Sequence, residues 1–162
     1  MISRRQFLVR TTTALASTSA AWWVIPAPAS EVFAVTHSEA EWKKLLTPEQ
    51  FAVLRQSATE RPYTSPLLEE HRPGVFSCAG CQLPLYSSST KFDSGTGWPS
   101  FWAPLADAVA TERDTSVGMV RTAVHCTRCG GHLGHVFDDG PKPTGLRYCM
   151  NGMALRFAPA QS

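Results

Sequence analysis

Two cysteine pairs, Cys78-Ala79-Gly80-Cys81 and Cys126-Thr127-Arg128-Cys129, constrain this chain more than any other feature. A C-x-x-C turn offers two thiolates on one tight loop. Two such turns supply the four soft, tetrahedral ligands of a closed structural zinc site. Forty-four residues lie between Cys81 and Cys126, against roughly 15–20 in a simple zinc ribbon. The metal is therefore expected to staple two distant hairpins, with much of a domain strung between them. Structural zinc contributes on the order of 10 kcal/mol to folding. Glycine stands where these turns must fold sharply: Gly80 inside the first, Gly130 and Gly131 after the second. The competing readings are redox-active pairs or disulfides; two matched pairs favour metal. Four cysteine ligands leave no open coordination position, which argues against a catalytic metal here.

Around these turns the chain reads as strands. The runs 74–78, 83–88, 108–114, 118–126, 132–137 and 147–157 are short and separated by glycine, proline and aspartate. In the last, alternation predicts Met153, Leu155 and Phe157 on one face and Ala154 and Arg156 on the other. Residues 60–74, with Pro62, Pro66, Pro73 and Gly74, read as an extended loop. Helices are confined to the start of the domain. Ser38 followed by Glu41 is a capping box, and Thr47-Pro48-Glu49-Gln50 repeats the signal with proline at the first helical position. Two short helices, about 38–46 and 48–57, are expected to put Trp42, Leu45, Leu46, Phe51 and Leu54 into the core. The fold class is mainly β, with antiparallel strands, two N-terminal helices and a four-cysteine zinc site.

The N-terminus is different in kind. Residues 3–8 read Ser-Arg-Arg-Gln-Phe-Leu, and twenty uncharged residues follow Arg10. A twin arginine ahead of a weakly apolar run is the pattern of a twin-arginine export signal. Residues 1–34 are therefore assigned to that signal and its linker, and 35–162 to the domain. Cleavage after Ala29 or Ala34 would deliver the domain, already folded and metal-loaded, to the periplasm or the outside of the cell. An uncleaved segment would anchor it in the membrane, although the run is poor in Leu and Ile. The twin-arginine translocase is the implied partner. The formal charge of +2 rests on Arg4, Arg5 and Arg10; without them the chain is nearly neutral, which argues against nucleic acid as a partner.

The fifth cysteine, Cys149, has no partner. Arg147 and Asn151 flank it at i±2 and share its face if the stretch is a strand. A thiol beside a guanidinium and near an imidazole is expected to have a lowered pKa and to act as a nucleophile. His132, His135 and Asp139 lie in the run 131–140, and Trp98 follows two glycines. The plainer reading makes Cys149 a small buried hydrophobe, the histidines satisfied polar residues or metal ligands, Asp139 a turn residue and Trp98 core. Together they suggest a glycine-framed pocket with a nucleophile, acids and an aromatic wall.

The motifs at 74–88, 91–102 and 125–157 resemble the type B peptide-methionine (R)-S-oxide reductases, and the resemblance runs from about Glu41 to Phe157. It implies two antiparallel sheets with N-terminal helices and a zinc site remote from the active site. It also implies reduction of the R epimer of methionine sulfoxide, free or in proteins. Cys149 matches the catalytic cysteine, His132 and His135 the active-site histidines, with His135 the first choice for the acid, and Asn151 the active-site asparagine. Arg147 matches the arginine by the nucleophile, Trp98 the aromatic wall that receives the substrate methyl, and Asp139 a nearby aspartate. Many members carry a resolving cysteine where this chain has Thr96, so an external thiol, from a thioredoxin-like protein or a small molecule, is expected to regenerate the enzyme. Gly152 stands where serine is common and is expected to loosen the pocket edge. The alternative from another class is a non-catalytic zinc-bound β module that binds a protein.

Overall fold

A computed structural model describes residues 32–116 and 118–161. The export signal read at residues 1–34 lies outside the described residues up to position 31. Both capping boxes form. Helix α1 (Glu39–Leu45) starts where Ser38 Oγ accepts from Glu41 N–H and the Glu41 carboxylate accepts from Ser38 N–H. Helix α2 (Pro48–Gln56) repeats this with Thr47 and Gln50 and ends on Ser57 in the left-handed region. Trp42, Leu46, Phe51 and Leu54 are buried as expected, but Leu45 is exposed. Trp42 and Leu46 are four apart and share the inner stripe, which leaves the i+3 position on its outer edge.

The strands are β1 (Gly74–Cys78), β2 (Pro84–Ser87), β3 (Lys91–Phe92), β4 (Ser100–Phe101), β5 (Val109–Asp114), β6 (Arg121–Cys126), β7 (His132–Phe137), β8 (Arg147–Met150) and β9 (Leu155–Pro159). They make two antiparallel sheets, ordered β2-β1-β9 and β3-β4-β8-β7-β6-β5. Between them Phe76 packs on Phe101, Tyr86 stacks on Phe101, and the Tyr86 hydroxyl donates to Met150 Sδ at 3.1 Å. The loop 60–74 carries one 3₁₀ turn, Pro66–Glu69. Among the described residues no helix is long and apolar enough to cross a membrane.

The run 147–157 is not one strand. It leaves the large sheet at Met150, passes through a 3₁₀ turn at Gly152–Ala154, and enters the small sheet at Leu155. Alternation therefore fails inside the turn: Ala154 is fully buried and Met153 only partly. This crossing places Cys149 near the end of β8 and Asn151 at the entry to the switch between sheets.

Candidate active site and metal centre

The four paired cysteines converge. Their Sγ atoms all lie within 4.8 Å of one another, with Cys78–Cys129 at 3.7 Å and Cys81–Cys126 at 3.5 Å. None is in a disulfide. A tetrahedron of thiolates about 2.3 Å from a central ion has edges of about 3.8 Å, so the donor set fits a metal ion. The two turns are copies of one knuckle. Gln82 N–H donates to Cys78 C=O as Gly130 N–H donates to Cys126 C=O, and Cys78 N–H donates to Leu83 C=O as Cys126 N–H donates to Gly131 C=O. The residue after each pair is left-handed, Gln82 at φ 61° and Gly130 at φ 66°. Glycine thus meets the backbone requirement only in the second knuckle, and a glutamine bears it in the first. Helix α2 closes this end: Leu54 sits against Gly131, and Arg55 donates to Cys129 C=O at 2.9 Å.

Cys149 lies on β8, in the interior of the large sheet. It pairs across β8 with His135 of β7 on one side and Ser100 of β4 on the other. A cavity of about 110 Å³ opens over it, lined by Thr59, Trp98, Arg121, Gly134, His135, Phe137, Cys149 and Asn151. That is far below the volume of a cofactor pocket and suits the end of one side chain. Cys126 ends β6 three residues beyond Ala123, which pairs with His135 as His135 pairs with Cys149, so the metal knuckle stands about 10 Å along the strands and about 10 Å across them from the thiol.

Local devices build the cavity. Residues three apart on a strand face opposite ways, yet the rings of His132 and His135 lie 5.4 Å apart, edge to face. The cause is a bulge: Val124 pairs with Gly134 and His125 with His132, so Leu133 is an extra residue on β7. Gly134 lets β8 approach; a Cβ there would overlap Cys149 O. Trp98 is fixed by its indole N–H, which donates to Glu60 C=O at 3.1 Å. Asn151 uses both ends of its amide on the backbone, accepting from Glu60 N–H and donating to Leu133 C=O. It lines the cavity while tying Glu60 and β7 together at the start of the switch between sheets.

Arg147 is bound in two-pronged fashion by Asp139, both bonds at 2.8 Å, and lies 4.4 Å over the Phe137 ring. Asp139 thus acts on Arg147 and does not line the cavity. Burial pushes the Cys149 thiol above its ordinary pKa; Thr96, Arg147 and Ser100 pull it down but do not prevail. The lowered pKa expected for Cys149 is corrected: it is half-buried, and the cost of a desolvated thiolate exceeds what one guanidinium returns. His132 is driven down to about 4, first by burial and then by His135, so it is neutral at pH 7. It lines a second, more polar cavity of about 360 Å³ behind His135 rather than the one over the thiol.

A family model for the SelR domain matches residues 46–159. Peptide methionine sulfoxide reductase MsrB of Agrobacterium fabrum is 53% identical over 126 residues, 77% of this chain and 93% of the relative. The proteins of the same description from Pseudomonas putida W619 and Methanosarcina barkeri are each 57% identical, over 74% and 76% of this chain and 90% and 88% of theirs. This chain belongs to the MsrB family of enzymes.

Two acids of this MsrB-family chain escaped the sequence. Asp114 accepts from His135 Nε2 at 2.7 Å and from Arg121 at 2.6 Å. Glu60 binds the N–H groups of Gly152 and Met153 with its carboxylate, besides holding Trp98 and Asn151 by its backbone. Neither acid belongs to a short motif, and only the fold brings them in. At Gly152, which the sequence did single out, a Cβ would stand 2.6 Å from Ser65 Cβ. Ser65, itself buried, fills the space a side chain at 152 would take, and neither residue lines the cavity over Cys149.

Proposed function

We propose that this chain reduces the R epimer of methionine sulfoxide, free or in oxidised proteins, through a sulfenic acid on Cys149, and that an external thiol regenerates it. One observation carries the reading. The nucleophile stands in a small cavity between an indole and an imidazole, and the side chain beside it at position 96 is a hydroxyl, 3.8 Å from its sulfur.

Trp98 receives the substrate methyl. The Cys149 thiol gives up its proton as it attacks the sulfoxide sulfur, and His135 returns a proton to the oxygen as the S–O bond breaks. The oxygen ends on Cys149 as S–OH, methionine leaves, and one two-electron exchange has occurred with no net proton taken from solvent. Arg147, steadied by Asp139, offsets the charge that builds on Cys149; Asn151 and His132 shape the site. Thr96 cannot form a disulfide, and the four remaining cysteines face one another at the metal centre. A small thiol or a thioredoxin-like protein therefore attacks the sulfenic acid directly, and a second thiol releases the mixed disulfide. The metal is zinc: four thiolates at this spacing suit it, and it supplies a structural staple and no reaction step.

The first residues export the domain to the periplasm by the twin-arginine translocase. Cleavage after Ala29 rather than Ala34 keeps Phe33, whose ring packs on Gly130 of the second knuckle and on His125.

The test is the loss of each separate epimer of methionine sulfoxide with dithiothreitol, using the full, zinc-loaded chain and its Cys149→Ser variant. Loss of the R epimer alone, abolished by the substitution, supports the reading. No loss of either epimer by folded protein would overturn it and favour the protein-binding module.

A further inference from the structure

Behind His135 the structure holds an ion network that no part of the reaction above has used. Asp114 is the last residue of β5 and pairs in register with Arg121, the first of β6. Its Oδ2 takes two donors, His135 Nε2 at 2.7 Å and Arg121 Nη2 at 2.6 Å, while Oδ1 accepts from Ser116 N–H at 2.8 Å. The side chains are well covered, His135 at 11% exposed and Asp114 at 15%. Bonds from Ser116, then His135 and Arg121, hold the Asp114 carboxyl well below the usual carboxylate range.

We propose that Asp114, itself fixed by Arg121, is the positioning residue that sets the tautomer of His135 and thereby makes Nδ1 the nitrogen that exchanges a proton with the reacting atoms. The inference rests on His135 being the proton carrier of the proposed reaction. A carboxylate can only accept hydrogen bonds, so Nε2 must carry the hydrogen between it and Asp114. The neutral ring then keeps its lone pair on Nδ1. That lone pair takes the proton of the Cys149 thiol as the S–S bond to the substrate forms. The same nitrogen gives it to the sulfoxide oxygen; that oxygen bonds to Cys149 Sγ as its bond to the substrate sulfur and the S–S bond break, so methionine leaves and the proton remains on the sulfenic acid. Without the carboxylate, the ring is free to adopt the other tautomer, which presents a hydrogen where an acceptor is needed. Arg121 lines both the cavity over the thiol and the one behind the imidazole, so it ties the orientation of Asp114 to the substrate side.

Asp114→Asn tests this sharply, because three donors converge on one side chain that would then own a single acceptor oxygen. Turning the amide nitrogen toward His135 forces the ring to offer a lone pair from Nε2; turning it toward Ser116 opposes that N–H instead. The experiment pairs two readouts on the full, zinc-loaded chain. Two-bond proton–nitrogen-15 spectra of the neutral imidazole are expected to show His135 as the Nε2–H tautomer in the native protein and as Nδ1–H, or a mixture, in Asp114→Asn. Turnover of methionine R-sulfoxide with dithiothreitol is expected to lose about 10²-fold in kcat, with KM within about threefold, and Asp114→Glu is expected to recover part of kcat. A native Nδ1–H tautomer would overturn the proposal whether or not any variant folds. So would a folded Asp114→Asn protein with kcat within about twofold of native. If the native chain reduces neither epimer, the proposed function fails, while the spectra still decide the tautomer.

Discussion

Thr96→Cys is expected to supply an internal thiol that reduces the proposed Cys149 sulfenic acid. Thr96 lies between Gly95 and Gly97, both left-handed at φ 70° and 90°, and its hydroxyl is 3.8 Å from Cys149 Sγ. A disulfide wants its Cβ atoms about 3.8 Å apart and its sulfurs about 2 Å apart. A side-chain rotation with a small shift of this glycine-flanked turn closes that gap. One equivalent of methionine R-sulfoxide then oxidises Cys149, and the introduced thiol expels water from the sulfenic acid to form the bridge. The crosslink joins positions 53 apart, for which loop-closure entropy gives about 4 kcal/mol of stabilisation of the oxidised form. For a domain of this size that is a Tm rise of roughly 10–15 °C over the reduced form. Intact mass and thiol titration read the bridge, and calorimetry with and without reductant reads its effect. Trapping of sulfenic acid by dimedone at native yield, with no loss of paired thiols, would refute the geometry. A bridge with a Tm rise of only a degree or two would refute the entropic reasoning.

The Gly152→Ser variant is expected to lose about 1–3 kcal/mol to overlap with Ser65, and Ser65→Gly in the same chain, which removes both the Oγ and the Cβ it meets, to recover part of it; urea titration of the two single variants and the double variant checks this. His132 binds no proton in the folded state until about pH 4, but titrates near 6.5 when unfolded. The unfolded state therefore gains protons first as pH falls, and folding stability declines between about pH 6.5 and 4 by roughly 3 kcal/mol from this residue. Denaturation at pH 7 and pH 4.5 is expected to show a much smaller difference in His132→Gln. Because burial holds the Cys149 thiol up, its alkylation by iodoacetamide is expected to keep accelerating to at least pH 9, and Arg147→Met to slow it at pH 8; a plateau below pH 7 would contradict the desolvation account. Cys126→Ser is expected to abolish stoichiometric zinc binding and cooperative unfolding, read by metal analysis and calorimetry, since a structural site is worth on the order of 10 kcal/mol.

Much of this protein was legible in one dimension because the signals are local. The two capping boxes, the two C-x-x-C pairs and the strands at 74–78 and 132–137 depend on neighbours within a few residues, and they stand where their spacing puts them. Cys149, His135, Trp98 and Asn151 were likewise nameable, and they line one cavity. Only the tertiary structure decided how those residues act. The bulge at Leu133 turns His132 and His135 to one side of β7, against the parity of a strand. The two-residue strands β3 and β4, too short to carry a pattern, seat Ser100 beside Cys149. Burial reverses the expected shift of the Cys149 thiol, because desolvation depends on everything packed around a group and not on its sequence neighbours. Asp114 and Glu60, 21 residues from His135 and 91 from Asn151, reach the site through long-range pairing alone. Sequence spacing states which groups a chain owns; the cross-strand register decides which of them meet.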